Sequence, residues 1–380
     1  MMIEKEYLLK LINLRKQLHK NPELSGNENE TIKRIIDFIR PYHPDKIITE
    51  LGKTGAAVIY NGSDKGNTVV IRCDLDALPI KEINSFDYIS IKENVAHSCG
   101  HDGHMTIVAG LSKLFNEKKP KKGKVVLLFQ PSEETGQGAK MILSDKKFLE
   151  IEPDYIYGFH NLPGFEKNKI FMANNYFSSA SIGMIVNLSG ETAHASEPEK
   201  GLSPALAIAE LINNFSGLSS PDSIAKGTFT TIIHAKLGEK AFGTSPGNGL
   251  LMATLRSSAK DKFDKLTLNA ENIVKKIAEK HKLNFSIEWT EEFPAILNIS
   301  ECNDFIAEAI KENNLFSDYL EKPFRWSEDF GFYTQVYKGA MFGIGSGIES
   351  PPLHSQNYDF PDDIITTGIN FHYSLITKSL

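Results

Sequence analysis

"TVVIRCDL", residues 68–75, places four consecutive β-branched residues ahead of an arginine, a cysteine and an aspartate. So dense an apolar run in so short a stretch predicts a strand buried on both faces, as in a parallel sheet covered by helices. "KVVLLFQ" (124–130) and "DYIYGFH" (154–160) read the same way. Helical spacing predicts helices over 28–39, 103–115, 302–313 and 363–377. Near the N-terminus, Leu8, Leu11, Ile12 and Leu18 recur at the same spacing and predict an amphipathic surface helix. Strands alternating with helices in this way predict an α/β domain built on a mostly parallel sheet.

The middle third has another texture. "SIGMIVNLSG" (181–190) predicts a strand and 203–215 a helix. Strands at 228–237 and 250–257, a helix over 262–282 and the strand "NFSIEW" (284–289) follow. This β-α-β-β-α-β order is that of a ferredoxin-like α+β sandwich. After "EEFPAILN" the first pattern resumes. The chain therefore divides into one domain made of 1–179 and 293–380 and a second, 180–292, inserted into it.

Bulk properties agree with two domains, since 380 residues exceed the size at which a single core keeps growing. A net charge of −6 argues against a general electrostatic grip on nucleic acid or on an anionic membrane. The N-terminal charges argue against a signal peptide, and no segment offers the roughly 20 apolar residues of a membrane span. Three scattered cysteines, Cys73, Cys99 and Cys302, give no disulfide framework, so a reducing cytoplasm is expected.

Open α/β sheets carry their chemistry just beyond the carboxyl ends of their strands. "RCDLDALP" (72–79), "FQPSEETGQG" (129–138) and "YGFHN" (157–161) occupy such positions, and "PPLHSQNYDF" (351–360) follows the strand "AMFGIGS". Each has an ordinary explanation taken singly. Adjacent glutamates suit a helix start, and aspartates cap turns. Beside them stands "HSCGHDGH" (97–104), with three histidines, a cysteine and an aspartate in eight positions. A thiolate, imidazoles and carboxylates together suit zinc, with nickel, cobalt or manganese as alternatives. Cys99 and His101, two apart in an extended turn, point the same way. A redox role fits poorly because the chain has no CxxC, and the many acidic groups oppose a free thiolate nucleophile.

The ordered motifs "NPELSGNE", "RCDLDALP", "HSCGHDGH", "QPSEET", "GFHNLP", "GETAHASEP", "SEDFGFY" and "LHSQNYDF" resemble the amidohydrolase branch of the M20 metallopeptidases, and the likeness covers nearly the whole chain. That branch includes hippurate hydrolases, N-acetyl-diaminopimelate deacetylases and auxin–amino acid conjugate hydrolases. The resemblance implies a catalytic α/β domain with an inserted lid. It makes Cys99, His101, Glu134, His160 and His354 the ligands of two divalent metal ions, and Glu133 the general base. Asp76 becomes the carboxylate that orients a metal-ligating side chain. His194 becomes a lid histidine that polarises the scissile carbonyl, and Arg256 a lid arginine for the substrate's carboxylate. His97 and His104 are expected to support the ligands, while His19 suits a structural role equally well. The expected substrate is a small N-acyl amino acid or peptide-like amide, and an exposed lid strand would pair two subunits. Alternatives are a dipeptidase or aminoacylase-like peptidase, or a silent metal-binding protein on the same scaffold. One departure stands out: Gly243, in "AFGTSPGNG", replaces the usual lid asparagine. Ser132, where alanine is common, is a smaller one.

Overall fold

The computed structural model describes residues 3–219 and 221–380. The chain forms two compact units. The first comprises Met1–Phe177, Ile296–Lys322 and Glu328–Leu380, and the second Ser178–Ala295 and Pro323–Ser327.

The first unit is built on an eight-stranded sheet. Its spatial order is Lys46–Leu51, Gly55–Asn61, Lys122–Gln130, Asp64–Asp74, Tyr155–Pro163, Lys338–Gly347, Ile170–Met172 and Ser317–Tyr319. The four strands from Lys122–Gln130 to Lys338–Gly347 run parallel. An antiparallel hairpin joins one edge. From Thr68 onward the strand Asp64–Asp74 is buried at every position, as four β-branched residues in a row require. The helices Lys5–Lys20, His101–Glu117, Ser300–Glu312 and Ile365–Ser379 pack their apolar faces into one core with it, around Leu11, Ile107, Leu111, Phe342, Ile369 and Phe371. Each such fully buried side chain contributes about 1.5–3 kcal/mol of transfer free energy.

The second unit holds a four-stranded antiparallel sheet in the order Asn284–Phe293, Ala180–Ser189, Asn248–Ser257, Thr228–Leu237. This 4-1-3-2 arrangement, with helices Ala205–Gly217 and Lys260–Lys280, is the ferredoxin-like sandwich. One face of the sheet is buried: Val186 and Leu188 of one strand and Leu251 and Leu255 of its neighbour meet Leu211, Phe215, Ala270 and Val274 of the helices. Burial alternates along the two central strands, as one covered face requires. The return of Pro323–Ser327 to this unit has no counterpart in the sequence reading. Ser179 holds it by donating from N and Oγ to the Phe324 carbonyl, at 2.9 and 2.7 Å.

A candidate two-metal centre

Gly100 makes the turn in "HSCGHDGH". Its φ of 88° is left-handed, and a Cβ there would lie 2.6 Å from Asn161 Oδ1. Cys99 therefore precedes a left-handed turn, in place of the extended one expected, and His101 opens the helix His101–Glu117. Both residues are buried.

The parallel strands deliver the remaining groups to the same end of the sheet. His160 lies within its strand, paired with Gly343. Its Nε2 is 3.5 Å from Cys99 Sγ. Glu133 and Glu134 follow the strand Lys122–Gln130, and His101 Nε2 lies 4.0 Å from Glu133 Oε2 and 3.8 Å from Glu134 Oε1. His354, with a left-handed φ of 63°, is 3.7 Å from Glu134 Oε2 and donates its main-chain N–H to the Ser98 carbonyl at 2.8 Å. Several overlapping donor groups form here among the described residues, His101, Glu133 and Glu134 among them, and two of the groups share a residue. Cys99, His101 and His160 form one, and Cys99, Glu134 and His354 the other, with ligand atoms in each within 4.8 Å of one another. Cys99 belongs to both.

Several details fit these sets to divalent ions. His101 Nδ1 donates to the Asp76 carbonyl and His160 Nδ1 to the Asn161 carbonyl, both at 2.8 Å. Each ring then presents the lone pair of Nε2, the orientation that metal-ligating histidines take. Among the described residues, His101 Nε2 and Glu134 Oε1 are buried with no hydrogen-bond partner, a costly arrangement unless a cation completes it. Burial, followed by the carboxylates of Glu328, Glu134, Asp329 and Asp76, pushes Glu133 well above the usual carboxyl range. Burial and Asp76 do the same to Glu134, and burial and Glu134 raise the Cys99 thiol. Burial holds His160 well below its ordinary value and lowers His354. So many acidic groups in a dry pocket call for positive charge.

Asp76 acts in a way the motifs did not reveal. Its carboxylate accepts the main-chain N–H of Glu133 at 3.1 Å and of Glu134 at 3.0 Å, clamping both glutamates at their backbone. Its main-chain carbonyl orients His101. On the second unit, His194 is exposed and its Nδ1 bonds Ser196 Oγ at 2.7 Å. Arg256 Nη1 donates to Ser327 Oγ at 3.0 Å. A Cβ on Gly243 would meet nothing within 4 Å, so no steric demand explains the glycine there.

Residues 70–378 match Peptidase family M20/M25/M40. The chain belongs to this family. It is a metal-dependent hydrolase of amide bonds. Hippurate hydrolase of Campylobacter jejuni is 29% identical over 371 residues, covering 97% of this chain and 96% of that one. N-acetyldiaminopimelate deacetylase of Lactobacillus helveticus is 29% identical over 374 residues, covering 95% of each. In fold, the chain resembles a dinuclear metal-binding M20 peptidase of Bacillus subtilis, with a TM-score of 0.85, 22% identity and 99% coverage of each chain.

In this M20 chain, sequence reasoning expected His97 and His104 to support the ligands but named no partner for either and missed Arg72. His104 Nδ1 bonds Asp74 Oδ1 at 2.7 Å and its Nε2 bonds Asn161 Oδ1 at 2.5 Å. His104 thus steadies Asn161, whose carbonyl orients His160. His97 is buried with neither ring nitrogen hydrogen-bonded, and burial lowers its pKa to about 3, so it stays neutral. Arg72, wholly buried, reaches Gln130, Asp74, Asp329 and Glu328 at 2.8–3.0 Å and balances part of the acidic cluster. Its partners come from "RCDLDALP", "QPSEET" and "SEDFGFY", so the signal was present as motif residues without an assigned task.

Proposed function

We propose that this protein hydrolyses the amide bond of N-acyl amino acids or related small amides, with Glu133 as general base. The observation that carries the reading is Glu133 beside two donor sets that share Cys99, with its amide and that of Glu134 clamped by Asp76. We assign Cys99, His101 and His160 to one divalent ion, and Cys99, Glu134 and His354 to a second, zinc first and nickel, cobalt or manganese as alternatives. Ions held there supply Lewis acidity, which acidifies water and polarises an amide carbonyl.

Glu133 accepts the proton of the attacking water and delivers it to the departing amine nitrogen, acting first as base and then as acid. Asp76 keeps the glutamate turn from shifting during both transfers. From the resemblance, His194 is assigned a hydrogen bond to the developing oxyanion and Arg256 the substrate's carboxylate. The strand Thr228–Leu237, at the edge of its sheet with Ile233 and Leu237 exposed, is assigned as the pairing edge of a homodimer.

The test is a panel of N-acetyl and N-benzoyl amino acids against unblocked dipeptides, assayed with each metal in turn. Turnover of the acylated substrates that a chelator removes and metal restores is expected. Preference for free dipeptides would replace this reading with a dipeptidase. No turnover of any member would overturn it.

A further inference from the structure

The loop "NPELSGNE" carried part of the family resemblance but received no role. Its residues Ser25 and Glu28 sit beneath the glutamate turn. Ser25 Oγ donates to Asp76 Oδ2 at 2.6 Å, the oxygen that also accepts Glu134 N–H. Glu28 Oε1 accepts the N–H of Ser132 and of Gly26, both at 2.9 Å, and its Oε2 accepts Thr54 Oγ1 at 2.6 Å. Glu28 and Asp76 are both completely buried. The loop is itself fixed to the Asp76 segment, since Ala77 N–H donates to the Glu23 carbonyl at 2.8 Å.

Three consecutive main-chain N–H groups, those of Ser132, Glu133 and Glu134, are therefore taken by two buried carboxylates. Ser132 has a φ of 56°, left-handed for a residue that is not glycine, so the turn it opens is strained and must be held from outside. Hydrogen bonds to charged acceptors are the strong kind that can hold it. The residues so fixed are the proposed base and a proposed ligand.

We propose that Ser25 and Glu28 are positioning residues, which set the direction of Glu133 and Glu134 by holding the main chain of their turn. Glu28 acts directly on Ser132, and Ser25 acts through Asp76. The catalytic half of this inference rests on the role proposed for Glu133, whereas the positioning half does not.

The experiment compares Ser25→Ala, Glu28→Ala, Glu28→Gln and the wild type. It measures amide hydrogen exchange across residues 131–138 in the metal-free protein, and kcat and KM on an N-acyl amino acid in the metal-loaded one. Tyr157→Phe, which loses a buried 2.8 Å hydroxyl bond to Ser379, serves as a control for stability alone. Exchange at 132–134 is expected to quicken about tenfold or more in Ser25→Ala and Glu28→Ala, through local opening. The same variants should lose about 10–100-fold in kcat through misplacement, with KM changed by less than about threefold. Glu28→Gln keeps an acceptor oxygen and should recover most of the loss. If Glu28→Ala fails to fold, Ser25→Ala and Glu28→Gln against the control still decide the matter. Variants that match Tyr157→Phe, with unchanged kcat and unchanged exchange at 132–134, would overturn the proposal. A wild type without activity on any acyl substrate would instead sink the functional reading, and the exchange data would still judge the positioning.

Discussion

The proposed metal centre and His194, a proposed substrate-contacting residue of the insert, are built to opposite specifications. In the first unit, His101 and His160 are buried and each is aimed by a main-chain carbonyl, while Glu133 and Glu134 are clamped at consecutive amides. In the second, His194 is exposed, and its ring Nδ1 bonds the hydroxyl of a serine two residues along the chain. A site whose parts are fixed before substrate arrives performs chemistry. Groups left loose are fixed by the substrate, at a cost in ordering.

The largest expected effect probes the fixed side. Glu133→Gln should lower kcat by about 10³–10⁴-fold while metal content, read by elemental analysis, stays at the wild-type level. Lost metal in that variant would make Glu133 a ligand and break the division of labour with Glu134. On the loose side, His194→Ala should cost about 10²–10³-fold in kcat with little change in stability. Full activity would remove the insert from the chemistry. Arg256→Ala should act on KM instead, raising it about 10–100-fold for substrates that carry a carboxylate, as the loss of charged hydrogen bonds implies. An equal effect on carboxamide analogues would refute that assignment.

The buried side also predicts a pH signature. His19 Nδ1 lies 2.8 Å from Asp102 Oδ2 and 3.9 Å from Asp359 Oδ1, and its Nε2 lies 3.0 Å from Glu82 Oε1. Phe86 and Tyr88 pack on its ring, and Arg15 shares both aspartates. Burial opposes its charge, but the bonds to Asp102 and Glu82 win and raise its pKa to about 9. Because the folded value lies above the unfolded one, the stabilisation is complete below about pH 6.5 and disappears as pH rises through 9. Urea titrations of wild type and His19→Asn should differ by about 3 kcal/mol at pH 6 and converge above pH 9. A gap that stays constant with pH would show that His19 is neutral. The smallest effect is expected at Gly243→Asn. With open space for the new side chain, stability should move by less than about 0.5 kcal/mol. A larger loss would show that the glycine is required by its backbone.

The strands and helices were legible because each writes its environment into residue type. The buried strand at 68–75 shows as consecutive β-branched residues, and the strand expected at 250–257 begins two residues earlier, at Asn248. The proposed donors Cys99, His101, Glu134, His160 and His354 could be picked out because only a few residue types bind metal. Glu28, Ser25 and the carboxylate role of Asp76 were not, because they act on main-chain N–H groups, which every residue except proline provides. The return of Pro323–Ser327 to the second unit was hidden for a similar reason, since Ser179 holds it through a main-chain carbonyl.

The interrupted first unit also has a consequence for the order in which the protein forms on the ribosome. The four strands of the insert's main sheet and the two helices packed on it are contiguous up to Ala295, so its sandwich can fold as soon as it emerges. The larger sheet must wait. Its strand Lys338–Gly347 pairs with Tyr155–Pro163 across more than the whole insert, and His354 follows later still. Until then the edge of Tyr155–Pro163 that receives it is open, and the second donor set lacks one of its three members. The complete pair of proposed donor sets thereby assembles only after residue 354 has been made, and a chain truncated before residue 338 would present an unpaired sheet edge to its neighbours.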